Sequence, residues 1–149
     1  MALSSITGHV DEYAVIFFVG GHGPMFDLPT NPTSQALVRE FHDKDKIIAA
    51  VCHGPAALIN VRLADGRFLL EGLKVTGLTD SEERAIGVEV PFSLEQRLDQ
   101  SSGGGFVRAE DFASKVEVGR HGKLITGQNP ASAEGVGKAI YEALFAGGK

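Results

Sequence analysis

Two short, almost unbroken apolar runs, Tyr13 to Val19 and Ile47 to Val51, end at a glycine or polar turn and give way to helical spacing, and Leu73 to Leu78 is a third buried-strand candidate. A strand that buries both faces needs such a run, whereas a strand with one wet face alternates apolar and polar residues. After the first run and the Pro24 to Pro32 loop, Thr33 to Asp43 sets Leu37, Val38 and Phe41 on one side of a helix. After the second, Gly54-Pro55 opens a predicted helix over Ala56 to Leu63, with proline where a first turn accepts it. After the third, Thr79-Asp80-Ser81-Glu82-Glu83 reads as a helix start, with acids at the positive end of the dipole. Leu94 and Leu98 fall at i, i+4 within a helix predicted over Phe92 to Leu98, and Ser101 to Gly105 reads as a flexible connection. Phe106 to Ala109, Lys115 to Val118 and Leu124 to Thr126 read as short strands, with a turn at Arg120 to Gly122. Asn129-Pro130 caps a last helix carrying Val136, Ile140 and Leu144 on one face. This order predicts an α/β fold with a mainly parallel sheet flanked by helices.

Composition narrows the function classes. A length of 149 residues predicts one domain spanning 1–149, and 43% hydrophobic against 22% charged residues is enough for a core. The net charge of −5, with no basic cluster, argues against nucleic acid as a partner. Ala14 to Val19 is too short for a membrane span, and the first dozen residues lack the basic and apolar regions of a secretory signal. One cysteine, Cys52, precludes an internal disulfide and fits a cytoplasmic protein. The 19 glycines have no fixed period, which excludes a repeat architecture and places them at turns.

The candidate chemistry lies in Val51-Cys52-His53-Gly54-Pro55, where a buried strand turns sharply into the predicted helix. This has the form of a nucleophile elbow with sulfur in place of hydroxyl. It lifts the side chain to the carboxyl end of the sheet, where open α/β folds bind ligands. A helix beginning at Pro55 would aim its positive end at the sulfur and favour thiolate. The alternative is a small buried cysteine that fills space. Gly20-Gly21-His22-Gly23 follows the first strand to the same edge, and its amides could face an oxyanion on a carbon attached to Cys52. It has the spacing of neither a phosphate-binding loop nor a dinucleotide fingerprint. On spacing alone, Thr79-x-x-Glu82 and Asp80-x-x-Glu83 both fit a capping box. His9, His42 and His121 sit in polar contexts and read as solvated; a metal site, which needs three or four convergent ligands, is not expected, with only His22, His53 and the nearby acids as candidates.

GGHGPMFDLP, AAVCHGPAAL, VTGLTDSEE and LITGQNPAS, in that order, resemble the DJ-1/PfpI superfamily, and within it the heat-shock-chaperone-like glyoxalase III branch. The resemblance runs from about Asp11 onward. It implies a flavodoxin-like, class I glutamine amidotransferase-like fold and a stress-response lyase that needs no cofactor. It further implies Cys52 as nucleophile, His53 as proton-transfer partner, Glu83 as the carboxylate that orients His53, and Gly21 and His53 as oxyanion donors. His22 would touch substrate. The implied substrate is a small dicarbonyl such as methylglyoxal, converted to a 2-hydroxy acid through a cysteine-bound hemithioacetal. A cysteine peptidase or amidase, and a non-enzymatic chaperone or redox sensor, are the alternatives.

The resemblance also implies a strand, helix and strand before the equivalent of Asp11, with an acidic residue near the sulfur. A βαβ unit takes roughly 30 residues, and about a dozen precede the first strand here. The sheet is therefore expected to be N-terminally truncated, with a strand edge exposed. Association is expected in consequence, as a homo-oligomer or with a separate N-terminal piece.

Overall fold

A computed structural model describes residues 1–146; the last three residues of the predicted 1–149 domain lie outside the described residues. Four strands, β1 (Val15–Phe18), β2 (Ile47–Val51), β3 (Val116–Gly119) and β4 (Leu124–Gly127), form one sheet in the order β1-β2-β4-β3. The first three in that order are parallel, and β3 runs antiparallel to β4. The helices are α1 (Pro32–Asp43), α2 (Asp80–Ile86), α3 (Leu94–Ser102) and α4 (Ala133–Ala146).

β2 shows why its sequence has no polar alternation. Ile48 and Ala50 join a core with Leu37, Val38 and Phe41 of α1 and Leu94 and Leu98 of α3. Ile47, Ala49 and Val51 point the other way, into a second core with Ile125 and Val136 of α4. Every residue of β2 and β4 is buried. β1 is the end strand of the sheet, and Phe17 and the following Val19 are exposed. Among the described residues no helix is long and apolar enough to cross a membrane.

Three predicted elements differ from what forms. Ala56 to Leu63 is not an α-helix: a single 3-10 turn, Gly54–Ala57, is followed by turns through Asn60. The bonds that form there are one residue shorter than α-helical ones, from Ala56 N–H to His53 C=O and from Leu58 N–H to Pro55 C=O. Residues 54 to 59 are buried on every side, so their apolar pattern carries no helical stripe and suits a packed turn equally well. Leu73 to Leu78 runs extended but is not a sheet strand. Its Thr76 N–H donates to the Thr126 hydroxyl and its Leu78 N–H to the Cys52 carbonyl, which leaves only a bridge from Val75 to Phe106. Phe106 to Ala109 contributes that same bridge and no more, because Ala109 N–H is taken by the Gln128 side chain.

Candidate active site

β1 and β2 are parallel neighbours, so the loops that follow them emerge at the same end of the sheet. Cys52 sits at the corner with φ of 63°, a left-handed conformation that a non-glycine residue holds only when its surroundings enforce it. Two backbone bonds do so. Cys52 N–H donates to Gly127 C=O, prolonging the β2–β4 ladder, and Cys52 C=O accepts from Leu78 N–H. The turn also needs glycine at position 54, where a β-carbon would lie 2.1 Å from the Phe18 carbonyl oxygen. The strand-to-loop corner read from the sequence is therefore present, although a 3-10 turn follows it.

His53 is 1% exposed and is held on both sides of its ring. Nδ1 lies 3.6 Å from Cys52 Sγ, and Nε2 lies 2.5 Å from Glu83 Oε2. The second contact places the ring proton on Nε2 and leaves the Nδ1 lone pair facing the sulfur. Glu83 reaches His53 because Glu82 does the capping: the Thr79 hydroxyl accepts from Glu82 N–H, and the Glu82 carboxylate accepts from Thr79 N–H. That resolves the two capping boxes in favour of Thr79 and Glu82. His22 stacks obliquely on His53 with ring centres 4.6 Å apart, and its Nε2 faces Glu83 Oε1 at 3.5 Å. The structure thus brings Cys52, His53, Glu83, Gly21 and His22 to one place.

The electrostatics of the sulfur differ from the expectation. Burial pushes the Cys52 thiol up; the backbone N–H groups of His53 and Gly21 pull the other way, and the charges of Glu83 and Glu82 add to the rise. The net effect is a thiol above its ordinary value, because desolvation outweighs the two backbone N–H groups. The turn that follows the sulfur is a single 3-10 turn where a several-turn helix was predicted at Pro55. The same His53 and Gly21 amides are the two expected to face an oxyanion.

Sequence reasoning missed the group that holds α2 in place. Glu82 is fully buried and accepts hydrogen bonds from Thr79 N–H and hydroxyl, Phe112 N–H, the Gln128 amide and the Asn129 amide. Gln128 and Asn129 follow β4 at this same end of the sheet, and two adjacent side-chain amides after a buried strand are the signal that pointed there. Burial alone would raise the Glu82 pKa, but Thr79, Asn129, Phe112 and Gln128 together outweigh it and hold the carboxyl below its ordinary value. A depressed carboxylate stabilises the fold fully above its unfolded-state value of about 4.3, and that contribution drains away as the pH falls below it. Glu82→Gln is accordingly expected to cost about 2–4 kcal/mol in urea unfolding at pH 7. It should also flatten the decline of stability between about pH 5 and 3. An unchanged midpoint and an unchanged acid limb would show that the network carries no stability.

His22, His53 and Glu83 also form a possible ligand set, each offering one atom, all within 4.8 Å of one another. Cys52 is not part of it, since its sulfur faces the opposite nitrogen of His53.

The model of the DJ-1/PfpI family matches residues 4–143. The chain belongs to the DJ-1/PfpI family. It is 32% identical over 150 residues to the glutathione-independent glyoxalase HSP31 of Saccharomyces cerevisiae, covering 91% of this chain and 60% of that protein. Among solved structures, it resembles Rapid Encystment Protein 24 KDa of Francisella tularensis with a TM-score of 0.90 and 39% identity, over 97% of this chain and 63% of that one. It resembles glyoxalase III of Candida albicans with a TM-score of 0.79 and 28% identity, over 89% and 58%. The chain spans about three-fifths of the length of the relatives it matches. The family fold, a flavodoxin-like mixed sheet flanked by helices, is the one described above.

Proposed function

We propose that this chain carries the site of a glutathione-independent glyoxalase, a lyase that converts methylglyoxal-type dicarbonyls to 2-hydroxy acids with Cys52 as nucleophile. The observation that carries the reading is the placement of His53, with Nδ1 at 3.6 Å from the sulfur and Nε2 at 2.5 Å from Glu83. The relatives named as glyoxalases support the choice of substrate class.

Because burial pushes the Cys52 thiol up, the reaction begins with transfer of the thiol proton to His53 Nδ1 as sulfur adds to the aldehyde carbon. The oxygen of the resulting hemithioacetal is met by the Gly21 and His53 amides and takes back the thiol's proton from His53 Nδ1, which frees that nitrogen to act as base again. His53 then removes the hydrogen from the former aldehyde carbon and returns a proton to the neighbouring carbon, passing through an enediol. The product is the thioester of a 2-hydroxy acid. Water hydrolyses it and restores the thiol, so one dicarbonyl and one water give one 2-hydroxy acid with no external oxidant or metal. Glu83 holds His53 in the required tautomer and stabilises the imidazolium. His22, beside them, would touch the substrate.

Association with another copy or segment through the edge of β1 is supported by the exposure of Phe17 and Val19. A reducing compartment such as the cytoplasm suits a site that depends on one free thiol. The test is incubation with methylglyoxal in buffer free of glutathione. Loss of dicarbonyl matched by an equal amount of lactate is expected. Cleavage of a fluorogenic peptide with no lactate formed would replace this reading with the amidase one.

A further inference from the structure

Two polar atoms at this site have no hydrogen-bond partner although both are shielded from solvent: His22 Nε2 and Glu83 Oε1. They face each other at 3.5 Å, beyond the range of about 2.7–3.2 Å for a good N–H···O bond. The third member of the group, His53 Nε2, lies on the far oxygen of the same carboxylate. Two imidazoles and one carboxylate with ligand atoms converging within 4.8 Å are the donor types zinc takes. In a tetrahedral zinc site with bonds of 2.0–2.1 Å, neighbouring ligand atoms sit about 3.3 Å apart, close to the His22–Glu83 separation. The three side chains come from three separate segments, the loop after β1, the corner after β2, and α2. His53 is fixed beside the strained corner at Cys52, and Glu83 beside the anchored Glu82.

We propose that His22, Glu83 and His53 form a binding site for a divalent zinc ion, and that zinc there is a reversible inhibitor. Binding of the metal at Nε2 moves the single proton of the neutral His53 ring, by way of solvent, from Nε2 to Nδ1. A neutral imidazole bound to zinc through Nε2 carries its proton on Nδ1. That is the nitrogen facing Cys52, so the ring loses the lone pair that would accept the thiol proton. Glu83 is withdrawn from His53 at the same time, because its carboxylate becomes a ligand. The sulfur, on the other side of the ring, takes no part in holding the ion. This is a different mode from the attack of zinc on a free thiolate. Inhibition rests on the glyoxalase reading, whereas the binding site does not.

The experiment measures zinc binding by competition with a chromophoric chelator, using zinc chloride alone and the whole chain in thiol-free buffer. Parent protein is expected to take up one zinc per chain. Cys52→Ser should bind it with unchanged affinity. His22→Gln and Glu83→Gln should each weaken binding at least about tenfold, since loss of even a supporting group of a metal site costs 10–100-fold. His22→Gln alters a loop residue outside the core, so it serves if the Glu83 variant loses its fold. Binding abolished by Cys52→Ser and kept by His22→Gln would overturn the site in favour of a thiol site, and absence of stoichiometric zinc would overturn it outright. Lactate formation is measured separately, with and without zinc. Zinc bound by a parent that makes no lactate would refute the glyoxalase and leave the metal site standing. Turnover that is unaffected at saturating zinc would refute the inhibition.

Discussion

Cys52→Ser is expected to lower lactate formation from methylglyoxal by about 10³-fold or more, as removal of a covalent nucleophile does where the steps of a reaction depend on it together. The substitution is sterically mild. Serine is smaller than cysteine, and the backbone at φ of 63° stays clamped by Gly127 and Leu78. The unfolding midpoint should therefore move little while turnover disappears, so loss of chemistry is separated from loss of fold. A serine variant that retains turnover would show that the dicarbonyl is not attacked by this sulfur, and the hemithioacetal would have to be abandoned.

Glu83→Gln is expected to lower kcat by about 10²-fold with KM changed much less, in the range that general acid–base contributions occupy. The amide can still meet His53 Nε2, but it carries no charge to stabilise the imidazolium that forms when Nδ1 takes the thiol proton. Its effect on stability should be smaller than that of Glu82→Gln. The reason is that the cap of α2 is made by Thr79 and Glu82 and the buried network by Glu82, Gln128 and Asn129. Steady-state kinetics beside urea unfolding checks both halves. A Glu83→Gln variant as fast as the parent would mean that the 2.5 Å contact with His53 has no part in turnover.

Much of the scaffold could be read from residues because burial leaves a pattern. Ile47 to Val51 forms the predicted strand with the same limits, since a run with no polar alternation is what two-sided burial demands. Thr33 to Asp43 differs from α1 by one residue, because Asn31 caps the helix through its side-chain oxygen and Pro32 takes the first position. Ala56 to Leu63 failed for the opposite reason. A segment buried all round has no stripe, and periodicity then says nothing about whether it coils as a helix or packs as turns. Leu73 to Leu78 failed because a strand is defined by its partners, and its amides were claimed by Thr126 and Cys52. At the site, the strand-to-turn corner made Cys52 and His53 visible, while Glu83 came from likeness to a family, since spacing alone gave it a capping role. The contact of His22 with Glu83, and the Glu82–Gln128–Asn129 network, join residues more than twenty positions apart, and the adjacent amides of Gln128 and Asn129 are the local sign of the second. The ionisation of Cys52 was misjudged because it depends on how much water the fold removes, and no motif records that.

The account turns on a thiol that stays neutral at rest and is charged only when His53 takes its proton. The most direct test follows alkylation of Cys52 by iodoacetamide against pH with mass spectrometry, a clean measurement in a chain with one cysteine. The account predicts a midpoint above the ordinary thiol value of about 8.5. A midpoint at or below about 7, as for thiolates at helix ends or beside cations, would contradict it, because the sulfur would then need no base.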